Sequence, residues 1–389
     1  MTEKDAGRAG LIAHRSSLIT PAQRMQGIEL SLIRQINALA TPLSTNLGIG
    51  EPNVEPDETL REMAERAART GSWHYTPNAG ALSLRKLLVQ GTRFDPKTEV
   101  CVTAGTEEAL FSTMMAFVDP DDEVLVPNPG FVAYPTLAKI FGATAVEYDL
   151  EPPDWTLDID ALLKKITPRT KLIVVNTPSN PLGAVIPRET LQRIADAGPL
   201  VVCDEVYRTI WFESPPASML GMSDNVIVVD GMSKSHSMTG LRLGWAIARE
   251  ELMTQIVKSH QYISTCASAF AQTLAESILS ASEWNERWLE RVRGQFREQR
   301  DAALFAIHRE LAADIPPPPA AFYAFVPVPS CDTVAFAKTL ATDAAVLVIP
   351  GVAFGSLGEG FIRISFAAAP DEIATGVERI GRHLRAAGR

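Results

Sequence analysis

One lysine, Lys234, stands in the small-residue turn Gly231-Met232-Ser233-Lys234-Ser235-His236, directly after the apolar run Val226 to Val229. An amine at a strand end, once shielded from water, can bond covalently to a carbonyl carbon. A short loop later Arg242 lies within Thr239-Gly240-Leu241-Arg242-Leu243-Gly244-Trp245, in a second apolar run ending at Ala248. Its guanidinium can hold a phosphate through a fork of donors. Taken alone, a Ser-Lys-Ser turn between strands reads equally as a solvated loop.

Four further stretches carry chemistry of their own. In Ala104-Gly105-Thr106-Glu107-Glu108 a glycine follows a strand and a helix starts at once, leaving free N–H groups that suit a phosphate. The plainer reading is a helix capped by Thr106. Asn176-Thr177-Pro178-Ser179-Asn180-Pro181-Leu182-Gly183 follows another apolar run, so its asparagines are either rigid donors outside a sheet or parts of a turn. Asp204 ends the apolar run Val201-Val202-Cys203, where an unpaired carboxylate is costly. It needs a cation: a core lysine or arginine, a helix cap, or the protonated nitrogen of a bound heterocycle. Arg363 stands in the apolar strand Gly360-Phe361-Ile362-Arg363-Ile364 and needs an anion, either a structural carboxylate or that of a substrate.

The elements that must position these groups alternate. Strands are predicted at 100–103, 123–126, 145–148, 171–175, 200–203 and 225–229, with helices at 106–118, 134–141, 159–166 and 188–195 between them. Such alternation predicts a mostly parallel sheet with helices on both faces, and ligands outside the carboxyl ends of its strands. Upstream, a helix is expected over 25–39, and another after a cap at Asp57, reaching about Arg69. Downstream come helices at 250–260, 268–280 and 282–311, the breaking run Pro316 to Pro319, and a small α+β unit with strands at 322–326, 345–349 and 361–366 and helices near 332–341 and 370–386.

The 389 residues carry a net charge of −10, which argues against nucleic acid or an anionic membrane as the main partner. Cys101, Cys203, Cys266 and Cys331 are unpaired in spacing, and the six histidines do not cluster, so free thiols in a reducing, cytoplasmic setting are expected and a metal site is not. No signal-peptide pattern or 18-residue apolar run is present.

With Asn180-Pro181-Leu182-Gly183, Asp204-Glu205-Val206-Tyr207 and Ser233-Lys234 through Gly240-Leu241-Arg242-Leu243-Gly244 in this order, the chain resembles the class I/II aminotransferases of the type I fold, which use pyridoxal 5′-phosphate (PLP), from about Asn46 to the C-terminus. The resemblance implies a seven-stranded, mostly parallel α/β sheet flanked by helices plus a small α+β domain. On that resemblance residues 1–45 are expected to form an arm and part of the small domain, 46–290 the large domain, and 291–389 the rest of the small one. Lys234 resembles the Schiff-base lysine and Asp204 the partner of the ring nitrogen, while Asn180 and Tyr207 resemble donors to the ring oxygen. Gly105, Thr106 and Glu107 resemble the phosphate-cradling turn, with Arg242 and Ser233 as further phosphate ligands. Phe131 resembles the aromatic stacked on the ring, and Tyr75 a tyrosine donated to the neighbouring subunit of a homodimer. Gly50 and Arg363, with Asn180, resemble the grip on the substrate carboxylate. Gly231, Leu182 and Ser179 depart from the family pattern, Gly231 where many members carry a hydroxyl.

The implied reaction is ping-pong transfer of an amino group from an L-amino acid to a 2-oxo acid such as 2-oxoglutarate. A β- or γ-elimination lyase is the rival reading, and a non-catalytic binding protein a third. Leu18 and Ile19, in a segment near Ser17 to Thr20, lean towards an apolar or aromatic side chain in the substrate.

Overall fold

The computed structural model describes residues 20–386 and 388. Its strands are β1 (Thr45–Asn46), β2 (Val100–Thr103), β3 (Glu123–Asn128), β4 (Thr144–Glu151), β5 (Thr156–Leu157), β6 (Thr170–Asn176), β7 (Leu200–Asp204), β8 (Val226–Gly231), β9 (Gly244–Ile247), β10 (Tyr323–Pro327), β11 (Val346–Leu347), β12 (Ile349–Pro350) and β13 (Phe361–Ser365). The large sheet runs β2-β9-β8-β7-β6-β3-β4-β5. Seven of these strands match the expected sheet, and the two-residue β5 adds an eighth at one edge, antiparallel to β4. Strand β9 is antiparallel to both neighbours, and the pairs from β8 through β4 are parallel.

The parallel strands are apolar on both faces because helices cover both. Alternation divides them cleanly: Leu172, Val174, Val202, Ile227 and Val229 pack on one side with Leu110, Met114 and Ile256. Ile173, Val175, Val201, Cys203 and Val228 pack on the other with Leu191, Ile194 and Leu274. Asn176 pairs in register with Asp204, and Asp204 with Val229. The carboxyl ends of β6, β7 and β8 therefore lie side by side, and their polar residues emerge at one edge.

A smaller antiparallel sheet, β10-β13-β12, packs against the helix Thr333–Asp343, while β1 pairs with β11 beside the helix Pro370–Ala386. Arg363 occupies the centre of this sheet, opposite Phe325 on one side and Ile349 on the other. The helix Ser282–Leu311 has the expected bounds and crosses the expected division at 290/291 without a break.

Two expectations are corrected. The helix expected over 25–39 is confined to Leu32–Asn37, after a single 3-10 turn at Gln23–Met25. Gly27 turns left-handed there (φ +68°), and the Ser31 side chain caps the later start by accepting from the Arg34 N–H. The strand expected at 345–349 is two short pieces, β11 and β12, with Ala345 left-handed (φ +52°) just before them. Among the described residues no helix is long and apolar enough to cross a membrane.

Candidate active site

A cavity of about 990 Å³ opens at the carboxyl edge of the large sheet. Gly50, Thr106, Glu107, Phe131, Asn180, Asp204, Tyr207, Ser233, Lys234, Arg242 and Arg363 all line it. These eleven of the thirteen expected residues are separated by up to 313 positions and are brought together by the parallel topology.

Lys234 sits on the one-turn helix Met232–Ser235 that follows β8. Its Nζ donates to the Gly50 carbonyl at 2.7 Å. Burial, against the pull of Glu51, pushes the amine down to about 8, so a far larger share of it is neutral near pH 7 than of an ordinary lysine.

Asp204 ends β7 and is 4% exposed. Its Oδ2 accepts from the Tyr134 hydroxyl at 3.0 Å and its Oδ1 from the Val206 N–H at 3.2 Å. No lysine, arginine or histidine forms an ion pair with it among the described residues, and burial pushes its pKa up to about 6. The structural cation that the sequence left open is absent among these residues, so the carboxylate is poised for one from outside the chain.

Arg363 is 1% exposed and has no carboxylate partner among the described residues. One Nη donates to the Asn180 carbonyl oxygen at 2.8 Å, and the other to the Gly48 carbonyl. Its guanidinium lies 4.5 Å from the ring centre of Tyr323 and 4.9 Å from that of Phe354, while its buried Nε has no acceptor. Burial lowers its pKa. A guanidinium walled in by rings, with an orphaned donor, suits a bound carboxylate.

Gly105 has φ +90°, and a Cβ there would stand 2.6 Å from an Nη of Arg242. A glycine is therefore needed, and the start of the helix Thr106–Phe117 and the guanidinium converge on one small space. Arg242 is itself left-handed (φ +53°) and donates to the Thr239 carbonyl at 3.0 Å. Gly231 has a steric reason as well: a Cβ would lie 2.7 Å from the Leu243 carbonyl oxygen, so this chain has no room there for a hydroxyl-bearing side chain. Leu182 is buried in the core, and the Ser179 hydroxyl is buried without a partner.

Phe131 meets Tyr134 edge to face, with ring centres 5.7 Å apart. Tyr75 is 85% exposed and does not line the cavity. Ser17, Leu18 and Ile19 lie outside the described residues.

Two tyrosines enter that the sequence reading missed. Tyr134 bonds Asp204, and its place three residues after Phe131, in the first turn of the helix Ala133–Ile140, was the available signal. Tyr323 lies 2.8 Å from Tyr207, hydroxyl to hydroxyl, and stacks against Arg363. It reads in sequence as one more apolar residue of β10.

These residues fit PLP. The buried carboxylate without a cation suits a protonated ring nitrogen, the glycine-opened helix start beside Arg242 suits a phosphate, and an amine of lowered pKa faces the same space.

A family model described as aminotransferase class I and II matches residues 44–380. The aromatic-amino-acid aminotransferase 2 of Thermococcus litoralis is 32% identical over 94% of this chain and 98% of its own length. The aspartate aminotransferase of Pyrococcus abyssi is 31% identical over 94% and 98%. Among solved structures, the aspartate aminotransferase from Thermus thermophilus with maleate superposes with a TM-score of 0.88 at 30% identity, covering 94% of this chain and 99% of that one. Likeness of this extent, in sequence and in fold alike, makes the chain a member of the class I and II aminotransferases, enzymes that transfer the amino group of amino acids with pyridoxal 5′-phosphate as cofactor.

Proposed function

We propose that the enzyme moves the amino group of an L-amino acid with a neutral, apolar or aromatic side chain to a 2-oxo acid such as 2-oxoglutarate, in two half-reactions at one site. The observation that carries this reading is the single cavity in which Lys234, Asp204 and Arg363 meet, the last two buried and none of the three in an ion pair among the described residues.

Arg363 grips the substrate carboxylate, and Asn180 holds that guanidinium through its side-chain oxygen. Asn180 Nδ2 and the Tyr207 hydroxyl are the donors for the ring oxygen. Gly105, Thr106, Glu107, Ser233 and Arg242 surround the phosphate, through backbone N–H groups, hydroxyls and the guanidinium. Phe131 covers one ring face. Bound PLP supplies the electron sink that makes the substrate Cα–H acidic, and Asp204 keeps that sink effective by balancing the ring charge. Lys234 Nζ, lowered to about 8, takes the Cα proton as a general base and returns it as a general acid. The Gly50 carbonyl fixes the free amine between these steps.

Leu32, Ile33, Ile49, Val132 and Phe354 give the cavity an apolar wall, which supports the donor class. Arg34 lines the same cavity and forms no ion pair among the described residues, which supports an acceptor with a second carboxylate. We read residues 46–290 as the part that holds the cofactor, and 1–45 with 291–389 as the part that carries Arg34 and Arg363. Tyr75 is read as serving the site of a second copy.

A donor panel with 2-oxoglutarate tests the proposal. Aromatic and large aliphatic donors are expected to react fastest, each leaving its 2-oxo acid, and Lys234→Ala to slow transfer roughly 10³-fold or more. Release of pyruvate and ammonia from a sulfur-containing amino acid, independent of any 2-oxo acid, overturns it.

A further inference from the structure

Beneath the phosphate-cradling turn, outside the cavity, lies a buried polar cluster that the reaction does not use. Glu108 occupies the first turn of the helix Thr106–Phe117 and reaches back, so that its Oε2 accepts from the Ala104 N–H. Its Oε1 faces His260 Nδ1 at 2.5 Å and accepts from the Ser264 hydroxyl at 3.1 Å. The side chain of His260 is wholly buried and that of Glu108 is 8% exposed. A carboxylate only accepts, so Nδ1 is the donor, and Nε2 is left buried without a hydrogen-bond partner.

This arrangement has a direction. Ala104 immediately precedes Gly105, whose left-handed backbone opens the helix start. Fixing the Ala104 N–H fixes the plane of the peptide that leads into that turn. His260 and Ser264 stand at the end of the helix Glu250–Ile263, which packs along Thr106–Phe117 over the sheet. The neighbouring Thr265 carbonyl accepts from the Asn78 side chain at 2.8 Å, tying the cluster to the loop that bears Tyr75. A buried carboxylate held by two donors besides its backbone partner is a stiff brace. It also keeps the acidic group turned away from the space that receives a phosphate.

We propose that Glu108, held by His260 and Ser264, is a positioning residue for the phosphate turn. The affinity of the protein for the phosphate of its cofactor then depends on a buried pair that touches neither cofactor nor substrate. This inference rests on the reading of Gly105 and Thr106 as the phosphate cradle.

The experiment compares PLP with pyridoxal, which has the same ring and aldehyde but no phosphate, by equilibrium dialysis against the apo-protein. Glu108→Ala is expected to weaken PLP binding about tenfold, the scale of one lost charge-assisted hydrogen bond, and pyridoxal binding less than twofold. Glu108→Gln keeps an acceptor for the Ala104 N–H and is expected to restore most of the loss. Ser264→Ala, which leaves the buried pair intact, is expected to lower PLP affinity two- to threefold, with the apo-protein melting within about 2 °C of wild type. Equal losses for PLP and pyridoxal, or no loss for either, overturn the proposal. A wild-type protein that binds PLP no better than pyridoxal overturns the cradle reading itself, and this inference with it.

Discussion

Asp204 is the residue whose surroundings make the sharpest demand. Burial raises its pKa from the ordinary 3.8 to about 6, so the folded apo-protein binds that proton more tightly than the unfolded chain does. Its contribution to stability is complete below about pH 4 and is lost as pH rises through about 6. Apo Asp204→Asn escapes this loss. Relative to wild type it is expected to gain stability between pH 4 and pH 7, by on the order of 2 kcal/mol, while losing PLP affinity. Urea titrations of both apo-proteins at several pH values check this, and parallel pH profiles would refute it. The same penalty is what made the residue legible: a carboxylate ending Val201-Val202-Cys203, like an arginine inside Phe361-Ile362-Ile364, conflicts with its neighbours unless a partner exists. Tyr134 and Tyr323 created no such conflict. A tyrosine among apolar residues reads as core, and only its hydroxyl partner, 70 residues away for Tyr134 and 116 for Tyr323, reveals another task.

Among the elements, the short helix that carries Lys234 is held from below by the long helix Ser282–Leu311. Trp288 Nε1 donates to the Ser235 carbonyl at 2.9 Å, and His236 Nε2 meets the Asn285 side chain at 2.8 Å. Trp288 lies parallel to the His236 ring and stacks with Trp284. Burial lowers His236 to about 4, so it is neutral near pH 7 and can serve as a flat packing surface. Trp288→Ala is expected to destabilise the protein by about 3–5 kcal/mol. Trp288→Phe, which mainly strips the Ser235 carbonyl of its donor, should cost about 1–2 kcal/mol. Equal costs in chemical unfolding would refute the hydrogen-bond role. The alternation of strands and helices was readable because the apolar period switches from element to element. Helix Leu32–Asn37 was misjudged in length because Gly27 and Ser31 set its start by local turn chemistry, against an apolar spacing that continued past them. The Glu108–His260 pair spans 152 positions and had no local trace at all.

At the scale of the molecule, Trp73, Tyr75 and Tyr262 are 86%, 85% and 81% exposed, and the Asn78–Thr265 hydrogen bond ties the loop after the first two to the end of the helix that bears the third. Bare aromatic surface of this kind marks a contact site. On the reading that a second copy covers it and receives Tyr75, subunits of Tyr75→Ala mixed with subunits of Lys234→Ala should regain activity that neither has alone. The intact lysine of one then sees the intact tyrosine of the other. Mixtures that stay as inactive as their components, despite confirmed exchange of subunits, would sink this arrangement. The helix Ser282–Leu311 has a mechanical corollary. It spans 30 residues, about 45 Å, and is anchored near its start to the carbonyl behind Lys234, while farther along it packs beside β10, the neighbour of the strand that carries Arg363. Such a rod transmits tilt. Any swing that draws Arg363 inward over a substrate must pivot on the ground where the amine stands, so grip and proton transfer share one fulcrum.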